Sequence, residues 1–282
     1  MSQFHPTGNS AGGRVRRLWP TGLLVGLLIA SLANVPSAAA ADLTVAAAAD
    51  LRFALPELAE RYERQSGNHV RLTFGASGNL YSQIENGAPF DLFFSADTEY
   101  PQKLVASGRA QGLTIYGIGE LALWTRQAHL KLRARGLDVL ASPDVSKIAI
   151  ANPVHAPYGR AAEAALRSAA IYDGIKSKLV YGENVAQTAQ FAQSGNADVA
   201  IISLSQAKAL EKEGDYWVVP RSLYPRLLQA AVVIRASANS AAAEGFLHFV
   251  TSSAGREILE RHGFQMESAG QRAVPATGSA PR

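Results

Sequence analysis

The sequence predicts an α/β protein of two lobes, each a sheet flanked by helices. Short apolar runs alternate with segments whose apolar residues recur every three or four positions. This alternation comes in two rounds, and glycine closes several of the helical segments. At 282 residues the chain is long enough for one large or two medium cores.

The elements follow in order. LTVAAAA (43–49) reads as a short apolar strand. In LRFALPELAERYERQSG the positions Leu51, Leu55, Leu58, Ala59 and Tyr62 keep the helical period, and Gly67 supplies a stop. HVRLTFG alternates as a strand, and NLYSQIENG is helical with its own terminal glycine. FDLFFSA is a strand and YPQKLVASG a helix. The rhythm predicts parallel strands with helices across their faces.

A second round opens after ELALWTR. KIAIANP is a strand, YGRAAEAALRSA a helix, SKLVYGE a strand and NVAQTAQFAQSG a helix. ADVAIISLSQA is a strand running into a helix, and YWVVP is another strand. QAAVVIRA then adds one strand, and SAAAEGFLHFVTSSAGREILERHGF adds two helices. The first lobe is expected over 42–121 plus 228–266, and the second over 122–227. Tyr116, Trp124, Trp217 and Tyr224 fall near the expected crossovers and read as packing residues there.

Residues 1–41 read as an export leader. Arg14, Arg16 and Arg17 make a basic start, Leu18 to Leu32 an apolar run, and SAAAAD offers the small residues a signal peptidase accepts. The run of 15 residues contains Pro20, whereas a bilayer span needs about 20. Cleavage near Ala40 or Ala41 and a periplasmic location are therefore expected. With no cysteine, a lipid anchor, disulfides, cysteine-ligated metals and thiol catalysis are all excluded. Residues 267–282 are small, polar and proline-containing, and are expected to be a disordered tail.

Without the three leader arginines, 24 basic residues stand against 23 acidic ones. The exported chain is nearly neutral and carries no basic stripe with interleaved aromatics, so nucleic acid is not an expected partner.

Ligands of open α/β sheets bind outside the carboxyl ends of strands, where loops lead into helices. Four such corners have unusual content: AAAADL (46–51), GASGN (75–79), HAPYGR (155–160) and GENVAQ (182–187). Three of them lack any lysine or arginine and offer small residues, hydroxyls and bare amides. A helix start leaves its first amides without partners and carries partial positive charge, so such corners suit an oxyanion. Ser77 can contribute in this way, although the ordinary role of a serine at a helix start is capping.

FGASGNLYSQIENGAPFDLFFSAD, with VAAAADL, IANPVHAPYGRAA, GENVAQ and GREILERHGF, resembles the periplasmic molybdate-binding proteins, solute receptors of ABC-type importers. The resemblance runs from about Leu43 to Phe264. It implies a type II periplasmic-binding-protein fold whose two lobes close on molybdate or tungstate. It also implies a monomer that delivers the anion to membrane permease subunits, with no catalysis, no cofactor and no metal ligated directly by side chains. By the same resemblance Ser77 binds the anion through hydroxyl and amide, Tyr158 through its hydroxyl and Val185 through its amide. Ser203 stands where one branch has a tyrosine, and Tyr158 substitutes for that hydroxyl.

Asp50 departs from the family pattern, which has serine or Thr-Asn there. A carboxylate 4 Å from one negative charge costs about 4 kcal/mol at an effective dielectric of 20, and molybdate carries two. Asp50 is expected to turn aside and leave its own amide and that of Leu51 as donors. Protonation, or pairing with Arg52 or Arg160, are the other solutions.

The remaining readings are plainer. The six histidines show no metal-ligand spacing, and His155 reads as a surface residue. Asp91 and Asp97 read as caps or turn formers. GASGN is not the G-x-S-x-G nucleophile elbow, so a hydrolase using Ser77 or Ser203 has little support. Sulfate and phosphate are the alternative anions, with Asp50 a possible acceptor for the proton of phosphate.

Overall fold

The computed structural model describes residues 40–266. The expected leader, apart from its last two residues, and the expected tail lie outside the described residues. Ten strands form two five-stranded sheets. They are β1 (Asp42–Ala48), β2 (His69–Gly75), β3 (Leu92–Ser95), β4 (Ala110–Gly119), β5 (Leu121–Thr125), β6 (Ile148–Ala151), β7 (Leu179–Gly182), β8 (Val199–Ser203), β9 (Asp215–Val218) and β10 (Leu227–Ile234). The helices are α1 (Ala54–Ser66), α2 (Ser77–Glu85), α3 (Glu99–Ala106), α4 (Leu132–Arg135), α5 (Pro157–Ser168), α6 (Tyr172–Ile175), α7 (Val185–Gln193), α8 (Leu204–Ala209), α9 (Ser240–Thr251) and α10 (Ser253–Arg261).

The strand order is β2-β1-β3-β10-β4 in the first sheet and β7-β6-β8-β5-β9 in the second. The first sheet is buried on both faces. Leu43, Val45 and Ala47 pack with Leu55, Leu58, Phe246 and Leu259, while Ala46 between them packs with Leu80, Phe93 and Leu104 on the other side. Alternate side chains of a strand point to opposite faces, so a strand covered twice must be apolar throughout. This is why β1, after Asp42, reads as an apolar run interrupted only by Thr44. Each fully buried leucine or phenylalanine contributes about 1.5–3 kcal/mol.

The expectation of parallel sheets is corrected. β1, β2 and β3 run parallel, as do β6, β7 and β8, but β10 is antiparallel to β3 and β4, and β5 to β8 and β9. β10 lies between β3 and β4, which α3 connects; β5 likewise lies between β8 and β9, which α8 connects. Each odd strand is the first one laid down after the chain changes sheets. No crossover helix within its own sheet sets its direction. β4 and β5 are also absent from the strands read in the sequence. Gly112, Gly117 and Gly119 break the pattern of β4, and the short buried run of β5 carries no period of its own.

The chain passes to the second sheet through Glu120 alone and returns between Val218 and Leu227. The two passages are tied together. The Leu121 amide donates to the Tyr224 hydroxyl at 3.1 Å, and the Val219 amide donates to the Leu121 carbonyl at 2.9 Å. The buried Glu120 carboxylate holds Arg221 at 2.5 Å and accepts from Gln265 Nε2 at 3.1 Å. Among the described residues no helix is long and apolar enough to cross a membrane.

Candidate functional site

All four corners singled out in the sequence line one cavity. Its wall comprises Ala48, Ala49 and Asp50 after β1, Gly75, Ala76 and Ser77 after β2, Ala156, Pro157 and Tyr158 after β6, Asn184 and Val185 after β7, and Ala96. The cavity is small, about 10 Å³, on the order of one water position. No lysine or arginine lines it.

Each corner supplies its donors differently. The cap of α2 is Ala76, so Ser77 is the first helical residue, and the expected capping role is corrected. Its Oγ instead accepts from the Ala96 amide at 3.0 Å, which leaves the hydroxyl proton to donate. A helix leaves its first amides without internal partners. At α2 the second of these, from Gly78, donates to the His155 carbonyl at 2.9 Å, so two corners from different sheets touch directly.

Gly78 is required by that approach: a Cβ there would sit 2.6 Å from Tyr100 Oη and 2.9 Å from the His155 carbonyl oxygen. At α7, Asn184 Oδ1 caps the Ala186 and Gln187 amides at 2.9 and 3.1 Å, and Val185, buried against the cavity, is the first helical residue. At α5, Pro157 has no amide to offer, and the buried Tyr158 brings a hydroxyl.

Asp50 lies inside a 3-10 turn, Ala49–Leu51, and is fully buried. Its Oδ2 accepts from Gln229 Nε2 at 2.7 Å, while Oδ1 has no hydrogen-bond partner within the protein. Gln229 Nε2 also donates to Tyr158 Oη at 3.1 Å, and Gln229 Oε1 accepts from the Tyr116 hydroxyl at 2.6 Å. Burial pushes the Asp50 carboxyl up to about 6; the Gln229 bond, the Tyr158 hydroxyl and the amides of Asp50 and Leu51 pull the other way. Burial also raises the Tyr158 and Tyr116 hydroxyls well above the usual phenol range, with the Asp50 charge adding to it.

Pairing of Asp50 with arginine is corrected. Arg160 holds Asp97 at 2.5 Å and Glu99 at 3.5 Å, and Arg52 lies over the Phe53 ring at 5.5 Å. Ser203 caps α8 through the Gln206 amide at 3.2 Å and does not line the cavity. His155 is exposed. Asp91 ties β1 to the chain after β10, accepting from the Thr44 amide at 2.7 Å and from Ser237 Oγ at 2.6 Å. Asp97 accepts from the Tyr100 amide at 3.3 Å at the start of α3.

Sequence reasoning missed Gln229 and Tyr116, which stand behind Asp50. A fully buried amide side chain in the apolar run of β10 was the available signal. Tyr116, read as crossover packing, belongs to the polar network. Gln229 and Tyr158 in turn require Gly119, where a Cβ would sit 2.2 Å from Tyr158 Oη.

Residues 43–265 match the family model for bacterial extracellular solute-binding proteins. The chain is 34% identical over 248 residues to the molybdate-binding protein ModA of Rhodobacter capsulatus, covering 87% of this chain and 94% of that one. It is 34% identical over 235 residues to ModA of Azotobacter vinelandii, covering 82% and 92%. The chain belongs to the ModA group of bacterial extracellular solute-binding proteins. The solved periplasmic molybdate-binding protein of Azotobacter vinelandii superposes with a TM-score of 0.76 at 32% identity, covering 80% of this solute-binding protein and all of that chain. The two-sheet architecture of this ModA relative is thus the expected periplasmic-binding-protein fold.

Proposed function

We propose that this solute-binding protein holds molybdate or tungstate in the cavity and delivers it, in the periplasm, to an ABC-type permease. One observation carries the reading: four strand-to-helix corners from two sheets converge on one small cavity lined without a single lysine or arginine. Such a space suits a small inorganic anion held by amides and hydroxyls. The names of the relatives at 34% identity favour molybdate among tetrahedral anions. Ser77 contributes its hydroxyl and amide, Val185 its amide and Tyr158 its hydroxyl. The two sheets with their helices act as lobes that part about Glu120 and the 219–226 return. The anion leaves unchanged, so the protein works as a receptor and not as an enzyme.

Thermal unfolding with molybdate, tungstate, sulfate and phosphate tests the reading. A bound anion at 100 times its dissociation constant stabilises by about 2.7 kcal/mol, so molybdate and tungstate should raise the midpoint by several degrees. A shift with phosphate and none with molybdate would overturn the assignment. Tyr158→Phe should weaken molybdate binding roughly 10- to 150-fold, since a hydrogen bond to a charged group contributes about 1.5–3 kcal/mol. Unchanged affinity in a calorimetric titration would remove Tyr158 from the site.

A further inference from the structure

Asp50 is the one acidic side chain in the cavity wall, and its two oxygens are not equivalent. Oδ2 is committed as an acceptor from Gln229 Nε2. Gln229 is held in that orientation because its Oε1 accepts from the Tyr116 hydroxyl. A proton on Oδ2 would meet the Gln229 N–H and lose the bond, so protonation falls on Oδ1, the buried oxygen without a partner. Gln229 does not line the cavity and Asp50 does, which leaves Oδ1 for a ligand.

No cation offsets a negative charge at this point. Arg160 of α5 is engaged by Asp97 and Glu99, and Arg52 lies over Phe53. The other groups around Asp50 are the hydroxyls of Tyr158, Tyr116 and Ser77 and the amides of Gln229 and Gln206, with Gln206 Nε2 donating to the Ala49 carbonyl at 3.3 Å. Asp97 adds a second negative charge near Tyr116, and His155 contributes only its carbonyl. An ionised Asp50 facing a dianion here would meet unscreened repulsion. A protonated one offers a donor.

We propose that the protein takes up one proton with each oxyanion, carried on Asp50 Oδ1 and donated to an anion oxygen, with Gln229 the positioning residue that selects Oδ1. The proton comes from solvent and returns to it on release, and no bond to the metal centre of the anion changes. An anion that already bears a proton presents it to Oδ1 and takes up none. This deepens the oxyanion-receptor reading and rests on it. Burial already pushes the carboxyl up to about 6, so part of the protonation work is done before the ligand arrives.

The test is calorimetric titration of the exported chain with sodium molybdate between pH 6.5 and 8.5, in buffers of differing ionisation heat. The expected result is an uptake approaching one proton, with affinity falling tenfold per pH unit. Asp50→Asn keeps an acceptor for Gln229 and puts an N–H donor at the Oδ1 position. It should bind with pH-independent affinity and no proton uptake. Gln229→Leu removes a bond that favours the charged carboxylate, so the pH at which affinity begins to fall should move upward. Wild-type binding with pH-independent affinity and buffer-independent heat would overturn the proposal while leaving the receptor function intact. An Asp50→Asn protein with the wild-type pH slope would do the same. Absence of molybdate binding at every pH would instead overturn the receptor reading, and the proposal with it.

Discussion

Without ligand at pH 8, the Asp50→Asn protein should melt well above the wild type, and the difference should vanish near pH 4. The sign follows from linkage. Burial raises the folded-state pKa of Asp50 from 3.8 to about 6, so between those values the folded chain keeps a proton that the unfolded chain has lost. Stability conferred by the protonated form is therefore full below about pH 4 and is lost as pH rises through 6. The loss amounts to about 3 kcal/mol, or roughly 6–12 °C at this chain length. Asparagine never ionises and keeps the acceptor for Gln229, so it escapes the penalty. Melting curves by circular dichroism at pH 4, 6 and 8 read the gap. A gap of equal size at all three values would show that the carboxylate charge is not its origin.

Gly78→Ala should weaken molybdate binding about 5- to 150-fold. The added methyl would sit 2.6 Å from Tyr100 Oη and 2.9 Å from the His155 carbonyl oxygen. The tyrosine tip can give way, but the carbonyl belongs to the corner that carries Tyr158. Gly78 and His155 lie on corners of different sheets, joined here by a 2.9 Å hydrogen bond. Overpacking of about 1–3 kcal/mol would thus fall on the closed arrangement and be relieved when the lobes part, which converts to the loss of affinity given. Titration calorimetry measures the affinity, and small-angle scattering with molybdate reports whether the radius of gyration still shrinks. Wild-type affinity would mean that the two corners need not meet when the anion binds.

The four corners were legible because each is a local event. A strand ends, small residues follow and a helix begins, and all of this lies within about six consecutive residues. Ser77 was legible as part of one of these corners but not as the first helical residue, because a shift of one position in the helix start separates a cap from a free hydroxyl. The direction of β10 was misjudged, and the antiparallel β5 was not read at all, for a different reason. A strand's direction depends on which sheet the chain has just entered, and local periodicity carries no record of that.

From the amino-acid order alone came the α/β class, the two rounds of strands and helices, and the neutral, small-residue corners where an anion can approach backbone amides. Those properties depend on neighbours in the chain. The environment of Asp50 was decided only by the fold, which brings Gln229 to it across 179 positions and Tyr116 to Gln229 across 113. The protonation of a carboxyl depends on the water removed from it and on the donors brought to it, and both are set by long-range packing.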